Sequence, residues 1–97
     1  MMKIDEALQI MQSSLDSLKE SEVIKVSIKV TPELVLLGKG SPFDSLGFVT
    51  LMTEMEDRMS RLTGQDIFFN IMEVSNFNID NPFLSAQAFG EYMISLV

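Results

Sequence analysis

Apolar residues at Ile4, Leu8, Met11, Leu15 and Leu18 recur at spacings of three and four, which places them on one face of an amphipathic helix over residues 3–19. Asp5 and Glu6 fall in its first turn and Lys19 near its end, both favourable to the helix dipole. A second helix, over residues 45–62, is predicted from Leu46, Val49, Met52, Met55, Met59 and Leu62, and it stops at Gly64. It opens at Asp44-Ser45, two strong capping residues that follow Pro42. The third periodic face is Phe89, Met93 and Leu96, on a final helix that Ser85 caps and that spans residues 85–96.

The stretches between these helices are harder to read. Ile24, Val26, Ile28 and Val30 alternate with Lys25, Ser27 and Lys29, the period of a half-buried strand. No second strand of similar quality exists to pair with it, and a lone strand leaves its backbone groups without partners. Residues 20–44 therefore read as a long, partly extended connection whose apolar residues lie on the core. Pro32, Gly38, Gly40 and Pro42 mark its far end as loop. A connection of this length carries a function or conceals an element. After Gly64, the dense apolar run Ile67, Phe68, Phe69, Ile71, Met72 and Val74 predicts a short buried helix near 70–76, and Asn76 to Pro82 is a turn cluster. Three longer helices and one short one predict an all-α fold, an irregular four-helix bundle with little or no sheet, in one domain over residues 1–97.

A hydrophobic fraction of 46% is enough for a core and too high for a disordered tail. No run of about 18 apolar residues predicts a membrane span, and Met1 to Glu6 lacks the basic-then-apolar pattern of a secretory signal, so a soluble cytoplasmic monomer is expected. The net charge of −7 disfavours nucleic acid and anionic lipid as partners and favours basic protein surfaces. The chain has no histidine and no cysteine, which excludes a Ser–His–Asp triad, a thiolate nucleophile, disulfides and His/Cys metal sites. It is not expected to be an enzyme. It can serve catalysis if another enzyme attaches the reactive group.

Four groups of residues bear on chemistry. Asp44-Ser45-Leu46 lies where a Gly/Pro-rich loop becomes a helix, and free N–H groups there favour a negative charge on the serine oxygen. The ordinary reading of Ser45 is a helix cap. Asn76, Asn78 and Asp80 begin like a calcium loop, but Asn81 and Gln87 stand where glycine and glutamate are required, so a plain turn is the better account. Met11, Met52, Met55, Met59, Met72 and Met93 read first of all as gap-fillers at helix-core spacings; the alternative is a flexible core able to open to a fatty chain. Glu54, Glu56 and Asp57, followed by Arg58 and Arg61, form either a solvated face with helical charge pairs or an acidic surface for a basic enzyme.

The run Gly40-Ser41-Pro42-Phe43-Asp44-Ser45-Leu46-Gly47-Phe48-Val49 resembles the attachment loop of acyl carrier proteins, and Leu51 to Asp57 continues like the helix that follows it. Ser85 to Met93 resembles the last helix of that family. The resemblance is strong over residues 38–62 and loose elsewhere. It implies that a phosphopantetheinyl transferase esterifies Ser45 with 4′-phosphopantetheine, that Asp44 caps or positions the site and that Leu46 lies beside the root of the arm. Acyl-loading and acyl-transfer enzymes of a fatty-acid, polyketide or other specialised pathway are the implied partners, with basic docking surfaces. Pro42 replaces a glycine often present two residues before the aspartate. Gly47 and Thr50 replace residues that are often acidic in housekeeping fatty-acid carriers, so the pattern resembles a stand-alone specialised carrier. The competing reading is a non-carrier acidic helical interaction module.

Overall fold

The computed structural model describes residues 2–97. The order of elements is α1 (Ile4–Glu20), β1 (Val35–Leu37), α2 (Ser45–Thr63), a 3₁₀ turn (Ile71–Glu73), β2 (Leu84–Ser85) and α3 (Ala86–Ser95). The molecule is mostly helical and carries a small two-stranded sheet. α1 packs against both α2 and α3. Met11, Leu15, Leu36, Leu51, Met55, Met59, Phe89 and Met93 form the dry centre of the core.

Each expected long helix is present within a residue or two. At the start of α1, the Glu6 carboxylate accepts a hydrogen bond from the Lys3 N–H at 3.0 Å. α2 ends at Gly64 in the left-handed conformation, φ 73°, where only a residue without Cβ is unstrained. Gly90 lets α3 approach α1 closely: a Cβ there would lie 2.8 Å from Ile4 Cδ1 and 3.6 Å from Ala7 Cβ.

The structure corrects the sequence reading in three places. The helix expected near 70–76 is a single 3₁₀ turn, and Met72 and Glu73 within it are exposed, so three helices build the core rather than four. The little sheet present lies in segments not read as strands: it joins β1 to β2 antiparallel, Val35 opposite Ser85 and Leu37 opposite Leu84, with Leu36 as the extra residue of a bulge. Its side chain is fully buried. The buried face of α2 is Gly47, Leu51, Met52, Met55 and Met59, whereas Leu46, Val49 and Leu62 are 71%, 59% and 65% exposed.

The alternating stretch at 24–30 is not a strand. Only Ile24 is buried, while Ile28 and Val30 are half-buried. The Gln12 carboxamide takes the place of a partner strand: its Nε2 donates to the Ile28 carbonyl at 2.9 Å and its Oε1 accepts from the Val30 N–H at 2.8 Å. One side chain of α1 thus satisfies a donor and an acceptor that a strand would otherwise pair.

Candidate functional site

The site is built at the junction of the 38–44 loop and α2. Gly38 and Gly40 have φ of 108° and 93°, and a Cβ on Gly38 would lie 2.7 Å from the Pro82 carbonyl oxygen. Ser41 fixes the loop: its N–H donates to the Gly38 carbonyl at 3.1 Å, its hydroxyl donates to the Leu36 carbonyl at 2.9 Å, and it accepts from the Phe43 N–H at 3.2 Å. This ties the loop to β1 and brings Asp44 to the start of α2 in an extended conformation, φ −82° and ψ −179°.

Asp44 is the cap. Its Oδ1 accepts from the Gly47 N–H at 2.7 Å, and its carbonyl accepts from the Phe48 N–H at 2.9 Å. Ser45 is the first residue of α2 and exposed, and its hydroxyl makes no hydrogen bond among the described residues. The ordinary reading of Ser45 as a cap is therefore set aside, because its neighbour fills that role. The N–H groups of Ser45 and Leu46 lie in the first turn, where no helical carbonyl can reach them, and no other acceptor is found for them among the described residues. Together they favour an anion beside the serine oxygen.

Two clefts lie at the start of α2. One, of about 370 Å³, is walled by Leu37, Phe43, Phe48, Val49 and Ile71, and Ser45 opens onto it. The other, of about 280 Å³, is lined by Val23, Lys25, Val26, Phe43 and Asp44. Phe43 and Asp44 separate the two. A larger open groove of about 410 Å³ lies far along α2, against α1, and holds Arg58, Arg61 and Leu62. Both of its guanidiniums already face carboxylates, and Ser45 takes no part in it.

A scan of protein-family models gives no match, and neither curated proteins nor solved structures match the chain. The residues themselves must carry the functional reading.

The acidic group on α2 is not a free face. Glu54 accepts from Arg58 at 3.1–3.2 Å, and Asp57 pairs with Arg61 one helical turn on. Glu56 is half-buried, and its Oε2 accepts from the Phe69 N–H at 2.6 Å. The calcium-like turn is closed on itself, with Asn78 Oδ1 accepting from the Asp80 N–H at 2.9 Å, and no metal-binding group of three acidic side chains occurs among the described residues. Five of the six methionines singled out are buried, and Met72 is exposed.

Sequence reasoning missed the strap that closes the first cleft. Residues 65–74 run from α2 past α3, and side chains of the two helices capture three of their N–H groups. Ser60 Oγ accepts from Ile67 at 3.0 Å, Glu56 from Phe69, and the Tyr92 hydroxyl from Asn70 at 2.8 Å. Phe69 packs edge-on against Phe89, with ring centres 4.9 Å apart, and against Tyr92. Burial, together with the Glu73 carboxylate 3.3 Å from its hydroxyl, raises Tyr92 above the usual tyrosine pKa of 10.0 against the opposing effect of the Asn70 N–H. The strap holds Ile71 in the wall of the cleft. The signal available was the unusual density of apolar residues from Ile67 to Val74 with no helical period.

Proposed function

We propose that this chain is an acyl carrier protein of acyl-carrier-like helical fold, with 4′-phosphopantetheine esterified to Ser45. The observation that carries the reading is an exposed serine at the first position of a helix whose cap is the preceding aspartate. Among the described residues the serine hydroxyl makes no hydrogen bond, and two N–H groups beside it have no acceptor. These residues suit a phosphodiester: Ser45 Oγ is the atom that bonds to phosphorus, and the N–H groups of Ser45 and Leu46 offer donors to its oxygens. Asp44 holds the turn with an oxygen already committed to Gly47, and Leu46 gives the root of the arm an apolar neighbour. When attached, the arm supplies the thiol that carries an acyl group as a thioester, which the chain itself lacks. The apolar cleft that opens from Ser45 is a surface against which an acyl group or the arm can rest.

The partners of this reading are a phosphopantetheinyl transferase and the enzymes that load and unload the acyl group in a fatty-acid, polyketide or related pathway. The test is the mass of the protein after incubation with coenzyme A and a broad-specificity phosphopantetheinyl transferase. One phosphopantetheine should be gained by the wild type and none by Ser45→Ala. A gain by Ser45→Ala overturns the site. No gain by a folded wild type overturns the carrier reading and leaves a plain interaction module.

A further inference from the structure

We infer that the enzyme acting at Ser45 meets α2 through an uncharged, apolar surface, in place of the basic surface that the net charge of −7 suggests. The inference rests on the carrier reading and adds the chemistry of the partner. From Ser45 to Thr53 the helix carries no charged side chain. Leu46, Val49, Thr50 and Thr53 follow the i, i+3, i+4, i+7 pattern and therefore form one stripe that begins at the residue next to Ser45. Leu46 and Val49 are 71% and 59% exposed. The two threonines turn their hydroxyls into their own helix, Thr50 donating to the Leu46 carbonyl at 2.7 Å and Thr53 to the Val49 carbonyl at 3.1 Å. Little is left on this stripe to hold water or to attract a charge.

The carboxylates at its two ends are each engaged within the chain through at least one oxygen. Asp44 is held by the Gly47 N–H at one end, and Glu54 is paired with Arg58 at the other. Beyond Glu54, Asp57 faces Arg61 and Glu56 is drawn to the strap. A lysine- or arginine-rich partner would meet no carboxylate along the stripe itself and, beyond Asp44, mostly ones already paired or hydrogen-bonded, whereas an apolar partner buries Leu46 and Val49. The occupant that matches this charge pattern is an apolar enzyme rim around the entrance for Ser45.

The experiment follows the rate of Ser45 modification by a broad-specificity phosphopantetheinyl transferase with coenzyme A, at ionic strengths from about 0.02 to about 0.3 M. Ionic docking loses much of its rate over that range, whereas apolar docking is expected to change kcat/KM by less than about threefold. Val49→Glu should lower kcat/KM by about tenfold or more, while Leu62→Glu, the same kind of change at an exposed leucine far from Ser45, should not. Circular dichroism and a thermal melt confirm that both variants fold. A larger salt effect overturns the inference. So does a Val49→Glu loss under about threefold, or one no greater than that of Leu62→Glu. If the wild type gains no mass at all, the carrier reading falls and this inference falls with it; a mass gain with strong salt dependence overturns this inference alone.

Discussion

Glu56→Ala tests whether the strap depends on a single carboxylate of α2. The Glu56 side chain is half-buried, and its Oε2 accepts from the Phe69 N–H at 2.6 Å, in a segment whose Ile67 and Asn70 N–H groups rely on Ser60 and Tyr92. A hydrogen bond to a charged group contributes about 1.5–3 kcal/mol, so the alanine variant should lose about 2 kcal/mol. At about 4–8 °C per kcal/mol for a domain of this size, the melting temperature should fall by about 8–16 °C. Glu56→Gln keeps an acceptor oxygen but not its charge, and neutral bonds are roughly half as strong, so its loss should be about 1 kcal/mol. Urea unfolding followed by circular dichroism gives both values, and amide exchange reports the bond itself. The Phe69 amide should lose more protection than those of α1 in both variants. Melting temperatures within about 2 °C of wild type for both variants would refute the reasoning. A stability loss with Phe69 protection unchanged relative to α1 would also refute it, because Glu56 would then act elsewhere.

Tyr92→Phe removes the acceptor for the Asn70 N–H and should cost about 1–2 kcal/mol in the same urea assay. Because the folded pKa of Tyr92 is raised, its contribution is complete below the unfolded value near 10 and is lost as pH rises through the folded value. The wild type should therefore weaken above about pH 10 more than Tyr92→Phe does, and absorbance of this sole tyrosine should titrate later in the folded than in the urea-unfolded protein. Gly38→Ala should cost about 2 kcal/mol or more, since φ is 108° and the added Cβ meets the Pro82 carbonyl; a melt unchanged from wild type would contradict that strain.

Helix periodicity made α1, α2 and α3 legible, and the order of motifs located the candidate serine. The core-facing side of α2 was legible only in part: Met52, Met55 and Met59 are buried as their spacing predicts, whereas Leu46, Val49 and Leu62 are not. Leu46 and Val49 have the same spacing as buried residues, and only the absence of a neighbour leaves them exposed. The division of labour between Asp44 and Ser45 was equally hidden, because both residue types cap helices well and backbone geometry alone decides between them. β1 escaped notice because Val35-Leu36-Leu37 is short and does not alternate, and its partner Leu84-Ser85 lies far along the chain. The strap has only a single 3₁₀ turn to leave a period, and the N–H groups of Ile67, Phe69 and Asn70 before it are met by Ser60, Glu56 and Tyr92, each on a helix with its own pattern. Gly47, read at first as a missing acidic position, is buried, and a Cβ there would lie 3.1 Å from the oxygen of Asp44 that its N–H holds. Its occupancy answers to the cap before it answers to any partner.

The grip of Gln12 on residues 28 and 30 also bears on self-association. Val23 to Val30 is rich in β-branched residues, and an extended segment of that kind with open backbone groups is a template for another chain. Gln12 occupies one donor and one acceptor along that edge. Lys25 and Lys29 are exposed, so a second copy laid alongside in register would bring like charges together. Protection of this edge is thus lent by α1. Whenever that helix unwinds, at synthesis or under heat, only the two lysines stand between this stretch and intermolecular sheet.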